Sequence, residues 1–495
     1  MNDFATLYSW VKGLPIVDWH NHLDMKMLAE DKPLGSLYEV WVKADPYKHR
    51  AMRICGEPER LITGDAPEEE KWAAWTRTLP KLVGNPLFAW AKMEMRWLQD
   101  GKCLTQRRRD AEDCCAWLRE LENVSLADWT PSKMLAKFGV EYISPCVGAA
   151  PNLNLCDSAS LREIRISPSL RMNAGDEISV ETLEKFDAAG CRIVDVSVDD
   201  VSKLSTLNSQ LSTVAAFAAT NGWTMLLHLG ALRETSARLR AAAGPAGGFA
   251  GMRAPVDPAA VAAFLNALET MPNCFSHIRL RQGYGGREEH DEHKDSALSA
   301  SHPSSDRLRG SLCSGDTREI NTSLPRTILM SLNPEAHAQL AVLAGSFNGE
   351  GMPGKVQLGP AWWWCDHEEG MRDVLEKNAA YGVLSTFVGM TTDSRSLLSF
   401  VRHDYFRRVL CKWVAEKVAS GAFPDDEALL RPLLENICYK NAHDMVFSHN
   451  HLRQGYGGQE ERKDRKETLF VNGNCHNCSQ ITNANITSAT SAVSA

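Results

Sequence analysis

Residues 16–22 read IVDWHNH, a β-branched and apolar run that ends in two histidines one residue apart. Side chains alternate across a strand, so in extended chain His20 and His22 share a face and can reach one ion. Two readings fit this segment taken alone: a metal pair, or a buried, hydrogen-bonded histidine beside a capping neighbour. The tetrapeptide HNHL recurs at His449–Leu452, but no strand-like run precedes that copy. The surroundings of the first copy therefore decide its meaning.

Seven further runs of the same kind follow, at Val140–Pro145, Arg162–Pro168, Cys191–Val198, Trp223–Leu229, Arg326–Leu332, Lys355–Ala361 and Leu384–Met390. Near-continuous apolar strands separated by helix-compatible sequence are the pattern of a parallel sheet covered by helices. Eight of them predict an α/β protein built as a TIM-type (β/α)8 barrel, drawn from residues 1–27 and 138–447. The gap between the first two runs is too long for one crossover. Its sequence, such as EEEKWAAWTRTLPKL, is charged, Trp-rich and helical in period, so residues 28–137 are expected to form a helical insertion, a candidate lid.

A second interruption differs in character. The heptapeptide LRQGYGG occurs at Leu280–Gly286 and again at Leu452–Gly458, each time opening a stretch rich in Ser, Asn, Arg and Glu. Such sequence buries too little apolar surface to offset its ordering entropy, so 275–323 and 448–495 are expected to be disordered additions to the fold. A phosphate-cradling role for the glycines needs a strand before them and a helix after, and the sequence offers neither.

Composition narrows the class of function. Hydrophobic residues at 44% and charged residues at 23% suit a soluble globular protein, and a net charge of -8 leaves no basic footprint for nucleic acid. The 14 cysteines are scattered singly apart from Cys114–Cys115 and the late pair Cys475 and Cys478, the usage of a reducing compartment. No run approaches the roughly 18 consecutive apolar residues of a membrane span, and the first residues lack the apolar core of a secretory signal. A cytoplasmic, small-molecule enzyme is the expectation, with no membrane or nucleic-acid partner.

Barrel active sites gather at the carboxyl ends of the strands, and the polar residues found there are few. His20 and His22 end the first run, His228 ends the fifth, and Asp393 follows the eighth. Together they could converge on a divalent ion such as zinc, with the carboxylate free to act as a base. Arg395, two residues beyond Asp393, could clamp a substrate carboxylate, and Arg171, after the third run, could do the same; a structural role fits either as well. Trp362-Trp363-Trp364 reads first as core, although an indole at the end of a strand can wall a sugar face. Tyr47 lies in a basic, aromatic stretch, ADPYKHRAMR, that reads either as plain surface or as a cover over the barrel mouth.

Several longer segments carry a resemblance: GNPLFAWAKMEMRW (84–97), WTMLLHLGALR (223–233), LPRTILMSLNP (324–334), AGSFNGEGMPGKVQLGPAWWW (344–364) and, most specifically, FVGMTTDSRSLLSFVRHDYFRRVL (387–410). They resemble the uronate (glucuronate) isomerases of the amidohydrolase superfamily, with gaps, from about Leu14 to Met445. The resemblance implies a distorted barrel, a divalent metal, usually zinc, and a homo-oligomeric enzyme interconverting D-glucuronate with D-fructuronate and D-galacturonate with D-tagaturonate. It matches His20 and His22 to the metal pair and Asp393 to the proton shuttle beside the metal. It matches Arg395 and Arg171 to groups holding the uronate, Tyr47 and His228 to active-site residues, and Trp362 or Trp363 to the pocket wall.

The pattern departs from the family at Pro46, where a His is usual, in SPCVGAAP after the second strand, and at Val194-Asp195-Val196, where Ser-Asp-His is usual. A metal-dependent hydrolase of the same superfamily needs the same ligands and is the competing enzyme reading. A noncatalytic sugar-acid-binding protein is the third. The arginine of DSRS, and Asn333 in place of a further histidine after the sixth run, favour the isomerase.

Overall fold

In the computed structural model the described residues are 2–100, 124–149, 164–173, 175–201, 204, 210–245, 247–271, 323–349 and 351–447. The chain divides into two units, Met1–His449 and Asn450–Ala495, and every described residue belongs to the first. Both LRQGYGG copies and HNHL 449–452 lie outside the described residues, as do 275–322 and 448–495.

Eight parallel strands make one curled sheet: β1 Ile16–Asn21, β2 Val140–Val147, β3 Arg165–Ile166, β4 Ser169–Asn173, β5 Ile193–Val198, β6 Thr224–Leu229, β7 Arg326–Ser331 and β8 Val356–Leu358. They pair in the order β1-β2-β4-β5-β6-β7-β8, with the two-residue β3 attached to β2. The fold is a distorted (β/α)8 barrel. The expected third strand, Arg162–Pro168, is in fact split. Pro168 carries no N–H for a ladder, so pairing stops at Ile166 and resumes at Ser169, and Arg171 stands within β4.

Alternation along the strands sorts inside from outside. Val194, Val196, Met225, Leu227 and Leu329 pack outward against helices such as Pro258–Thr270 and His337–Gly345. Val17, Trp19, Tyr142, Ile193, Leu226, Ile328 and Met330 form the interior cluster, closed by Ala442, Met445 and Val446 of helix Asn441–Phe447. The inward column then changes character toward the strand ends: Ile193 is followed two residues on by Asp195, and Leu226 by His228. That switch from apolar to polar is what makes one end of the barrel a site.

The eighth expected strand, Leu384–Met390, is not a strand. Leu384–Thr386 is a short 3-10 helix, and the chain from Phe387 to Asp393 joins no ladder. Gly389 is one reason, since it adopts φ +75 and any Cβ there would collide with the Ile437 carbonyl oxygen. Side chains and isolated backbone bonds close the barrel in place of a ladder. The Gln357 side chain accepts from Val388 N at 2.9 Å, His20 O from Asp393 N at 3.1 Å, and Ser394 O from His22 N at 2.9 Å.

Asp18 holds this seam. Its fully buried carboxylate accepts from Thr392 N (2.6 Å), Thr392 Oγ1 (2.7 Å), Thr391 Oγ1 (3.0 Å) and Asn21 Nδ2 (3.0 Å), and lies 3.1 Å from His403 Nε2. Burial alone would raise its pKa, but His403 and Thr392 outweigh that and hold it below the usual carboxylate range. Helix Val401–Ala419, which carries His403, is thereby tied to β1 and to the segment bearing Asp393.

Much of the expected insertion is helical where described, including Leu37–Trp41, Pro46–Ile54, Glu68–Thr78, Pro86–Asp100 and Pro131–Phe138. These helices share a core of Trp41, Trp75, Trp90 and Met134 with Phe400. Among the described residues no helix is long and apolar enough to cross a membrane.

Replacing Asp18 by Ala strands several buried donors at once, each costly when unmade, so unfolding in urea should show a loss of about 3 kcal/mol or more. Asp18→Asn, which keeps one acceptor oxygen, should lose less. A loss below about 1 kcal/mol for the alanine variant would show that this web does not hold the seam.

Candidate active site

The strand ends converge as the sequence suggested. A register irregularity between Asp18 and Asn21 breaks the alternation of β1, and both His20 and His22 reach the barrel mouth with ring centroids 5.3 Å apart. His22 Nε2 lies 3.0 Å from Asp393 Oδ1, and His20 Nε2 lies 3.2 Å from the same oxygen. Asp393 holds φ at +48, a left-handed conformation that Asp tolerates better than most residues, and its other oxygen accepts from Trp362 Nε1 at 2.9 Å. The neighbouring imidazoles keep this buried carboxyl well below its ordinary pKa, against the upward push of burial.

His228 enters from β6, its ring 4.9 Å from that of His20 and 4.4 Å from that of Trp362. A 270 Å³ cavity is lined by His22, Tyr47, Arg171, Asp195, His228, Trp362, Trp363, Asp393 and Arg395. His20 stands just behind it, buried. All of the sequence-nominated residues are thus brought together. Tyr47 comes from helix Pro46–Ile54, whose first turn is capped by Asp45 accepting from Tyr47 N at 2.9 Å. Pro46 occupies the first turn of that helix, where its missing N–H costs nothing. The Tyr47 ring is wedged edge-on between Trp90 and Trp364, and its hydroxyl is buried without a hydrogen-bond partner. Burial raises its pKa and keeps it a phenol.

Two participants escaped the sequence reading. Asp195, on β5, lies 2.5 Å from His228 Nδ1. Cys146, on β2, lies 3.2 Å from His20 Nδ1 and 3.5 Å from Asp195 Oδ2. Asp195 is held far below its usual pKa by His228 despite its burial, whereas burial pushes the Cys146 thiol up. One proton arrangement satisfies all three contacts: His228 Nδ1 donates to Asp195, the thiol donates to Asp195, and His20 Nδ1 donates to sulfur. The signal that could have revealed Asp195 was a single carboxylate inside the apolar run IVDVSV. Two further histidines hold helices in place. His403 serves Asp18, and His367 caps helix Glu368–Tyr381 by accepting from Gly370 N.

In that arrangement His228 Nε2 is buried without a hydrogen bond, whereas His20 Nε2 faces Asp393 Oδ1; burial would lower the His20 pKa, but Cys146 and Asp393 outweigh it and raise it well above its ordinary value. A lone pair facing a carboxylate oxygen at 3.2 Å repels it unless a proton or a cation stands between them. Imidazole nitrogens with a carboxylate are also the donor set of divalent zinc-type ions. Two triads of potential ligands occur among the described residues, His20-His22-Cys146 and His20-Asp195-His228. The residues present fit a divalent metal, with Asp195 and Cys146 as the outer groups that fix the imidazoles.

Imidazoles, carboxylates and arginines converging at the carboxyl end of a distorted barrel define a (β/α)8-barrel enzyme class able to hold a cation and a small anionic ligand. A profile of the glucuronate isomerase family matches residues 1–218 and 311–446. The uronate isomerase of Caldicellulosiruptor bescii is 31% identical over 494 residues, covering 88% of this chain and 94% of that protein. That of Geobacillus thermodenitrificans is 30% identical over 498 residues, with the same coverage of 88% and 94%. Among solved structures, the uronate isomerase of Thermotoga maritima matches with a TM-score of 0.68 at 23% identity, covering 90% of this chain and 97% of that one. The glucuronate isomerase of Caulobacter crescentus gives 0.66 at 19%, covering 90% and 93%, and both show the same fold. The chain therefore belongs to the glucuronate isomerase family, a family of intramolecular oxidoreductases. Both LRQGYGG copies fall outside the residues that the profile matches.

Trp362→Phe keeps the ring against His228 but removes the only donor to Asp393 Oδ2 among the described residues. Turnover of a hexuronate should fall about tenfold or more, on the scale of one hydrogen bond to a charged group, with an unchanged circular dichroism spectrum. Unaltered kcat would show that the indole N–H does not matter to the carboxylate.

Proposed function

We propose that this enzyme interconverts hexuronates, D-glucuronate with D-fructuronate and D-galacturonate with D-tagaturonate, by proton transfer through an enediol. The observation that carries the reading is one carboxylate, Asp393, ionised and met by His20, His22 and Trp362, in a cavity that also holds Arg171 and Arg395. Asp393 takes the proton from C2 of the open-chain aldose and returns it to C1, while O2 loses a proton and O1 gains one. Arg395 and Arg171 bind the sugar-acid carboxylate and hydroxyls, which anchors the chain so that C1 and C2 stay at Asp393. Tyr47 Oη and His228 Nε2, both without protein partners, attend the oxygens that exchange protons. Trp362 and Trp363 wall the pocket and exclude water from the enediol.

The reading includes a divalent ion, zinc, held by His20, His22 and Asp393; when bound it would draw electron density from the sugar oxygens. It also takes the enzyme to be cytoplasmic and homo-oligomeric. The six described cysteines are all unpaired, which suits a reducing compartment.

Incubation with D-glucuronate and D-galacturonate in deuterium oxide, followed by NMR, should show ketose and solvent deuterium at the exchanging carbon. No conversion of either sugar with zinc present would sink the proposal. Asp393→Asn should cut kcat on the order of 10³-fold while the fold survives, the scale of a lost general base. His22→Ala should lower bound zinc, measured by atomic emission, from about one ion per chain to a small fraction of that.

A further inference from the structure

A second cavity of 420 Å³ adjoins the first, sharing Tyr47, Ala250 and Trp363 with it, and the reaction described above has no use for it. Its size is that of an ordinary ligand site, roughly 300–1,000 Å³. Trp363 and Trp364 form one wall, stacked at 5.0 Å with 25° between their planes, and the Arg50 guanidinium lies 4.8 Å from the Trp364 ring centroid. Two polar atoms in this wall are buried and unpartnered: Trp364 Nε1, a donor, and Asp366 Oδ1, an acceptor. Asp366 is only 4% exposed, and its second oxygen pairs with the Arg402 guanidinium. Both atoms lie beneath the wall with almost no surface open to the cavity, so the groups that would meet a ligand there are the indole wall and the Arg50 guanidinium.

The chemistry specifies that ligand. The indole wall suits the flat face of a sugar ring, and Arg50 suits an anion. Among the described residues Arg50 has no carboxylate partner, and its one polar contact is a long bond to Ala250 O at 3.5 Å. We infer that the second cavity is a subsite for a further uronosyl ring, so that the enzyme accepts a hexuronate at the reducing end of an oligouronide. This rests on the isomerase reading and extends its substrate class. A glycosyl group on O4 leaves C1, C2 and the carboxylate of the reacting sugar untouched. The proton passes from C2 to C1 as before, and the glycosidic bond is neither made nor broken.

The probe is α-1,4-linked digalacturonate, compared with D-galacturonate, on the wild-type chain, Arg50→Gln and Trp364→Phe. Wild type should isomerise the reducing end of the disaccharide. Arg50→Gln should raise KM for digalacturonate about tenfold, and Trp364→Phe severalfold, with KM and kcat for galacturonate unchanged. Turnover of galacturonate with neither turnover nor competitive inhibition by the disaccharide would overturn the subsite and leave the isomerase reading standing. Equal effects of both variants on the two sugars would overturn it as well. Failure of both sugars to react would instead remove the isomerase reading, and the subsite with it.

Discussion

The carboxylate of Asp18 is the group on which the geometry of the site depends. A barrel without a regular eighth strand must be closed by something other than a ladder, and here a buried charge does so by gathering donors from three parts of the chain. Thr391 and Thr392 come from the irregular segment, Asn21 from β1 and His403 from helix Val401–Ala419. One residue past Thr392 stands Asp393, and two past Asp18 stands His20. The contact between these two therefore inherits its position from the web beneath it. Arg402 adds to the anchoring by donating to Thr392 O at 2.8 Å.

Above this foundation the site is a relay of orientations. β2 and β5 supply no group that touches Asp393 in the described structure, yet Cys146 and Asp195 decide which nitrogen of His20 and His228 is left available. Fixing the Nδ1 side of each ring sets where Nε2 stands, for His20 against Asp393 Oδ1, which is how outer partners commonly tune imidazole ligands. A thiol in one of these places is a softer, weaker partner than a carboxylate, so the two rings are held with unequal firmness.

Much of this was legible in the amino-acid sequence, for reasons that also explain what was not. His20, His22, His228 and Asp393 stood out because polar residues are conspicuous at the ends of apolar runs, and the barrel brings run ends together. Asp195 and Cys146 lie inside or just beside their runs, where polarity reads as an interruption, and only the inward parity of Ile193 and Tyr142 shows that they face the same space. Leu384–Met390 has the composition of a strand. What overrode it was tertiary: Ile437 packs so close to Gly389 that the chain turns, and the Gln357 side chain makes the bond that a neighbouring strand would have made. Pro168 divided the third run for a local reason, visible in the sequence but outweighed by the apolar pattern around it. Asp18 gave no signal of its importance, because its partners lie about 370 residues or more away, apart from Asn21.

The helix Pro46–Ile54, which brings Tyr47 to the mouth, is fastened along its length to the loop that follows β6. Arg53 donates to Gly247 O and pairs with Glu59, and Gly248, at φ +78, lets that loop lie so close that a Cβ would strike Pro46 O. Helix and loop are thus fastened to each other at the rim of the cavity. The single hydrogen atom that glycine carries at position 248 is what lets the loop meet the helix there, so a larger residue would push apart the two segments that border the cavity beside Tyr47.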